Sequence, residues 1–225
     1  MKKLAIFLNG EYSKDLDKMK EYVKDREIIA VDGGLNEVYK LNLIPKKIVG
    51  DMDSVDKNIL KKYENIEKVY LEKEKDHTDF EVALLNYTPN KSGRFKKDNL
   101  QEDFSHLDDT DILVLGATGN RVDMTLSNLK KMHGIKNIRF LSHNFEIIEY
   151  TNKSKVYKGI NSYTFSIIPI ENIEKLSLKG FKYPLINKDI SLDIGLVSNI
   201  VTGNECVVEF KKGSMYIIYR EEDKS

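Results

Sequence analysis

Six short apolar runs, separated by amphipathic stretches, constrain this chain more than any other feature of its sequence. They occupy residues 4–8, 28–31, 47–49, 69–71, 112–115 and 138–141. Each is rich in Ile, Val and Leu, and most lack strict alternation, as suits strands buried on both faces of a parallel sheet. Between them, Leu16, Met19, Tyr22 and Val23 recur at helical spacing, as do Val122, Leu126, Leu129 and Met132. Strand–helix alternation of this kind predicts a doubly wound α/β fold with a mainly parallel sheet. In such sheets ligands bind beyond the carboxyl ends of the strands. From about Glu146 the pattern changes: short alternating segments at 163–168, 174–178, 207–210 and 215–219 are separated by turns with Gly or Asn. That predicts a small all-β domain, a sandwich or barrel. The expected organisation is therefore an α/β domain over 1–144 and a β domain over 145–225. The polar, charged segment 88–110 reads as a long surface excursion between a helix and the next strand.

Charge and cysteine content exclude several classes. Lys plus Arg and Asp plus Glu both total 36 in 225 residues, a formal net charge of zero, so no nucleic-acid partner is expected. The single cysteine, Cys206, allows neither an intramolecular disulfide nor a multi-cysteine zinc site. The basic and then apolar start, Met1 to Leu8, stops at Asn9-Gly10, too soon for a secretory core, and reads as a first strand. No run approaches membrane-spanning length. A cytoplasmic protein without a membrane partner is expected.

The chemistry-bearing residues fall where strands end. Asp51 and Asp53 follow the 47–49 run; if the backbone stays extended there, both carboxylates point the same way. Paired hard oxygens are what Mg²⁺ prefers, with phosphate and water completing its shell. The blander alternative is a polar turn capping the segment 56–63. Asp76 and Asp79 flank Thr78, which with Glu81 has the spacing of a capping box; Asp79 then equally suits a helix dipole. Gly33 and Gly34, after Asp32, let backbone approach a phosphate at a helix start. Gly116-Ala117-Thr118-Gly119-Asn120-Arg121 forms a second such turn, and either turn alone is also an ordinary tight connection. Arg121, at a helix N-terminus beside Asp123, is a cation placed against the dipole, a modest pointer to phosphate.

Taken together, these turns resemble the thiamine pyrophosphokinase family over almost the whole chain. The motifs are Asp32-Gly33-Gly34-Leu35-Asn36, Gly50-Asp51-Met52-Asp53-Ser54, Lys75-Asp76-His77-Thr78-Asp79 and Gly116 to Asp123, with Gly180 to Leu185 and Gly195 to Asn199 in the β region. The resemblance implies pyrophosphoryl transfer from ATP to the thiamine hydroxyl, giving thiamine diphosphate and AMP, in a homodimer with thiamine at the subunit interface. It implies Mg²⁺ at Asp51, Asp53 and Asp79. Apart from the resemblance, Asp76 or Asp79 is a candidate carboxylate to accept the hydroxyl proton. The resemblance puts Asp32, Gly33, Gly34, Asn36, Thr78, Gly116, Thr118, Arg121 and Asp123 around the nucleotide, and Ser198 and Asn199 on the thiamine side. Met124 stands where the family has a His, Asn120 replaces the second turn glycine, and no tryptophan is available to stack on thiamine. The alternatives are a pyrophosphokinase for a pterin or other alcohol, a non-catalytic thiamine or nucleotide binder, and a metal-dependent phosphohydrolase.

Overall fold

The computed structural model describes residues 1–71, 77–87 and 104–222. Asp76 and most of the 88–110 excursion therefore lie outside the described residues. The chain divides into two compact units, Met1–Asn144 and Phe145–Ser225.

In the first unit the elements alternate: β1 (Lys2–Phe7), α1 (Leu16–Val23), β2 (Glu27–Val31), α2 (Gly34–Lys40), β3 (Lys47–Gly50), α3 (Lys57–Lys62), β4 (Glu67–Tyr70), α4 (Asp79–Asn86), β5 (Thr110–Leu115), α5 (Val122–Lys131) and β6 (Ile138–Leu141). The six strands pair in parallel in the order β6-β5-β1-β2-β3-β4. Central β1 and β5 are almost wholly buried, with Leu4, Ala5, Ile6, Phe7, Ile112 and Val114 at 0% exposure, which is why their runs do not alternate. The chain moves outward from β1 to β4, then returns to the other side of β1 as β5. That reversal is the topological switch point, and a crevice lies beyond the carboxyl ends of the strands there. At the opposite end of the strands, Asp111 accepts hydrogen bonds from Arg26 at 2.7 Å and Arg139 at 2.8 Å.

Helix α5 departs from its expected packing. It forms over the predicted segment, but Val122 and Leu126 are 68% and 56% exposed. The residue it buries is Asn128, whose Nδ2 donates to the Ala117 carbonyl at 2.8 Å. The inward face of α5 is thus its polar one, turned toward the loop after β5.

The second unit is all β: β7 (Ile147–Thr151), β8 (Lys155–Lys158), β9 (Tyr163–Pro169), β10 (Ile173–Lys179), β11 (Leu185–Ile190), β12 (Leu196–Ile200), β13 (Glu205–Glu209) and β14 (Met215–Glu221). Its strands form two antiparallel arrays, β12-β9-β14-β7 and β11-β10-β13-β8. Alternate residues of both arrays, among them Phe165, Ile167, Leu176, Leu178, Val208 and Ile217, meet in one core, the arrangement of a β-sandwich. Phe165 anchors it, edge-on to Tyr157 and Phe181 and stacked on Tyr219. The buried Glu149 is satisfied by Tyr157 Oη and by Lys155 Nζ.

Candidate active site

The carboxyl ends of β1, β2 and β5 open into a cavity of about 330 Å³. Asn9, Gly10 and Glu11 line it from the loop after β1, and residues 116–121 line it from the loop after β5. The two loops touch: Glu11 N–H donates to the Thr118 carbonyl at 2.9 Å, and a Cβ on Gly10 would meet the Gly116 oxygen at 2.2 Å. Only glycine lets the backbones approach so closely, and the approach shapes the crevice floor. Half-buried Tyr12 stacks on Phe7 and donates its hydroxyl to the Leu8 carbonyl behind this floor. From α5, Arg121, Met124, Thr125 and Asn128 face the cavity. Their i, i+3, i+4, i+7 spacing is one helical stripe, which leaves Val122 and Leu126 turned outward, while Leu129 is partly buried and Met132 at the end of the helix is buried.

Two acidic residues enter from the other side, Asp32 after β2 and Asp79 at the start of α4. Burial is the largest influence raising the Asp32 carboxyl, followed by a hydrogen bond and like-charge repulsion from Asp79; Asp51 adds repulsion, and the Met52 N–H opposes it. The outcome is a pKa pushed up to about 7. Asp79 and Asp51 are therefore each close enough to Asp32 to repel its charge. No group of three or more His, Cys, Asp or Glu side chains among the described residues forms a ready-made metal cluster. Mg²⁺ does not require one, since it commonly takes one or two carboxylates together with phosphate and water. Hard, mutually repelling oxygens beside a phosphate-sized cavity fit such an ion.

The start of α4 is tightly held. Glu81 N–H donates to Thr78 Oγ1 at 3.3 Å, and Thr78 N–H donates to Glu81 Oε2 at 2.6 Å, completing the expected capping box. Lys131 of α5 pairs with the same carboxylate. Burial pushes the Glu81 carboxyl up, but Lys131 and the Thr78 hydrogen bonds outweigh it and leave it lower than usual.

The loop after β3 is not extended. Met52 is left-handed at φ 62° and Gly50 sits at φ 138°, so Asp51 and Asp53 do not project together as an extended strand would require. Instead Asp51 Oδ1 accepts the Asp53 N–H at 3.1 Å, a side-chain-closed turn. Asn36 braces this loop, donating to the Ser54 carbonyl and accepting the Asp56 N–H, each at 3.2 Å. A Cβ on Gly50 would lie 1.8 Å from Asp32 Oδ1, so glycine is what lets the loop pass the Asp32 carboxylate. Gly33 and Gly34 serve packing as well: added Cβ atoms would meet Asn9 Oδ1 at 2.1 Å and the Phe7 carbonyl at 2.2 Å.

Of the residues singled out from sequence, Asp32, Asp79, Gly116, Thr118 and Arg121 line the cavity, while Asp51, Asp53, Gly33, Gly34, Asn36, Thr78 and Asp123 do not. Arg121 is already paired, its Nε donating to Asp123 at 2.9 Å. This exposed pair, chiefly through the Arg121 hydrogen bonds, lowers the Asp123 carboxyl to about 2. In the β unit, Ser198 is left-handed at φ 58°. The Asn199 amide is fully engaged with the Tyr183 backbone, accepting its N–H at 3.0 Å and donating to its carbonyl at 2.8 Å. Asn9, Gly10, Glu11, Thr125 and Asn128 were not legible as site residues. The only cue was that Asn9-Gly10 directly follows the first apolar run.

Comparison with known proteins agrees with this geometry. The family model described as "Thiamin pyrophosphokinase, catalytic domain" matches residues 12–147, and "Thiamin pyrophosphokinase, vitamin B1 binding domain" matches residues 151–215. The chain belongs to the thiamin pyrophosphokinase family. A relative named thiamine pyrophosphokinase, from Bacillus subtilis (strain 168), is 30% identical over 201 residues, spanning 84% of this chain and 85% of that protein. A crystal structure of thiamine pyrophosphokinase from Bacillus subtilis is 26% identical, with a TM-score of 0.77 over 99% of this chain and 100% of that one. Thiamin pyrophosphokinase from Candida albicans, at 21% identity, shares the fold with a TM-score of 0.76, covering 98% of this chain and 89% of that chain. The two family matches thus fall respectively on the α/β unit with its switch-point cavity and on the β-sandwich. No helix among the described residues is long and apolar enough to cross a membrane.

Proposed function

We propose that the protein is a thiamine pyrophosphokinase that transfers the pyrophosphoryl group of ATP to the hydroxyl of thiamine, releasing AMP. The observation that carries this reading is the cavity at the β1/β5 switch point, where two glycine-containing loops face Asp32 and Asp79. A helix start beside glycine-containing loops favours an anionic ligand, and carboxylates across the same cavity call for a cation to come with it. In this reading residues 1–144 bind nucleotide and metal, and residues 145–225 bind thiamine and form the dimer.

Asp51, Asp53 and Asp79 would hold Mg²⁺, with Asp32 beside them. When bound, the ion supplies positive charge that neutralises the phosphate oxygens as the bond to the β-phosphorus changes hands. The chain's own residues do the rest. The loops at 9–11 and 116–121 fix the phosphates, and the capping box with Lys131 holds Asp79 in place. Gly33, Gly34, Asn36, Thr78 and Asp123 act indirectly, by shaping and bracing the loops that touch the nucleotide. An aspartate, Asp76 or Asp79, accepts the thiamine hydroxyl proton. On the acceptor side Ser198 offers its hydroxyl, and Asn199 fixes the backbone beside Tyr183, which is 61% exposed and holds Lys182 Nζ over its ring at 5.6 Å, a contact that an aromatic cation would have to replace.

A homodimer is supported by apolar side chains that the β unit leaves in solvent, including Ile186 at 77% and Val197 at 64% exposure. A cytoplasmic location goes with ATP as the donor. An acceptor panel tests the substrate: with ATP and Mg²⁺, thiamine should yield one AMP per thiamine diphosphate. A hydroxymethyl pterin should yield neither AMP nor a pyrophosphorylated product; preference for the pterin would replace this reading with its alternative.

A further inference from the structure

We infer that Thr125 is a nucleotide-contacting residue whose hydroxyl hydrogen-bonds the nucleoside triphosphate in the switch-point cavity. The inference rests on the proposed function and deepens it. Among the described residues, Thr125 Oγ1 is the one buried side-chain nitrogen or oxygen with no hydrogen-bond partner. A threonine inside a helix ordinarily returns its hydroxyl to the carbonyl four residues back. Here the Arg121 carbonyl accepts the Thr125 backbone N–H at 3.0 Å, but the Thr125 hydroxyl makes no such bond to it. Buried polar atoms are satisfied in the great majority of native structures, so an orphan calls for a specific explanation.

Its position supplies one. Thr125 lines the cavity on the same α5 stripe as Arg121, Met124 and Asn128. The neighbouring Asn128 amide is spent on the Ala117 carbonyl, holding the loop after β5 against the helix. Thr125 is therefore the side chain on this stripe that carries an uncommitted hydroxyl. Solvent does not reach the oxygen in the present rotamer. Helical threonines populate two χ1 wells, and a step of roughly 120° between them exchanges hydroxyl and methyl, turning the oxygen to a ligand in the cavity. A hydroxyl both donates and accepts, so it matches phosphate oxygens, ribose hydroxyls and base nitrogens alike. The orphan is then a group kept unsatisfied in the free protein and satisfied when nucleotide enters.

The inference predicts effects of opposite sign on stability and binding. Thr125→Val keeps the shape and removes the hydroxyl, whereas Thr125→Ser keeps the hydroxyl. Binding of a non-hydrolysable ATP analogue with Mg²⁺ is measured by calorimetry, and the thermal midpoint is measured without nucleotide. Thr125→Val should weaken analogue binding by about 5- to 10-fold, the loss of one net hydrogen bond, while its nucleotide-free midpoint stays level or rises. Thr125→Ser should bind within about 2-fold of wild type, since the bond is retained. Wild-type affinity in Thr125→Val, or a lowered nucleotide-free midpoint that Thr125→Ser restores, would overturn the inference and make the hydroxyl structural. Failure of the wild-type protein to bind the analogue would overturn the nucleotide reading itself, and the inference with it.

Discussion

Asp51 directly follows β3, with one carboxylate oxygen closing a turn onto the Asp53 N–H and the side chain near Asp32. Asp51→Asn keeps an oxygen to accept that N–H but removes the negative charge. Turnover should therefore fall by about 10²-fold or more, on the scale of a lost transition-state electrostatic contact. The thermal midpoint should change little. Intact turnover in steady-state assays, or an unfolded variant by circular dichroism, would remove Asp51 from the metal site. Gly50 is held more strictly. At φ 138°, with the Asp32 carboxylate where a Cβ would lie, Gly50→Ala displaces either the loop or Asp32. It should lose nucleotide binding, which calorimetry with an ATP analogue checks.

Among the elements, α4 depends on its first turn. Thr78→Ala removes the hydroxyl that accepts the Glu81 N–H and should cost about 1 kcal/mol in urea denaturation. The same capping box was legible in sequence because its signal is local, a Thr and a Glu three residues apart. The inner parallel strands were legible for a similar reason, since burial on both faces writes an apolar run directly into the chain, whereas edge strand β4 buries none of its residues and its run at 69–71 marked only its last two. The packing of α5 was not. Val122 and Leu126 have helical spacing, yet the inward stripe is Arg121, Met124, Thr125 and Asn128, because it faces a cavity rather than a core. Nor was the left-handed turn at Met52 legible, since no glycine or asparagine marks it. Asn9 and Gly10 became site residues only through the strand order, which brings the end of β1 beside the end of β5. That pairing spans more than a hundred residues and leaves no local trace.

For the whole molecule, the ion cluster beneath the sheet sets an acid limit. Burial of Asp111 works against its charge, but hydrogen bonds and charge from Arg139, then Arg26, outweigh it and lower its carboxyl. A carboxyl lowered in the folded state binds fewer protons than in the unfolded chain, so its stabilisation is complete above pH ~4, the unfolded value. It is lost as pH falls below that through the native value. Asp111→Asn removes the carboxylate that Arg26 and Arg139 share and should cost about 3 kcal/mol at neutral pH, and acid titrations of stability should show the variant less sensitive below pH 4. Sedimentation equilibrium should find a dimer, and charged substitutions at Ile186 and Val197 should shift it toward monomer. Pyrophosphoryl transfer from ATP to thiamine is followed by phosphorus NMR of ATP with Mg²⁺, recorded with and without thiamine. AMP and thiamine diphosphate resonances that grow only when thiamine is present are the predicted result. AMP or ADP forming at the same rate without thiamine would contradict it.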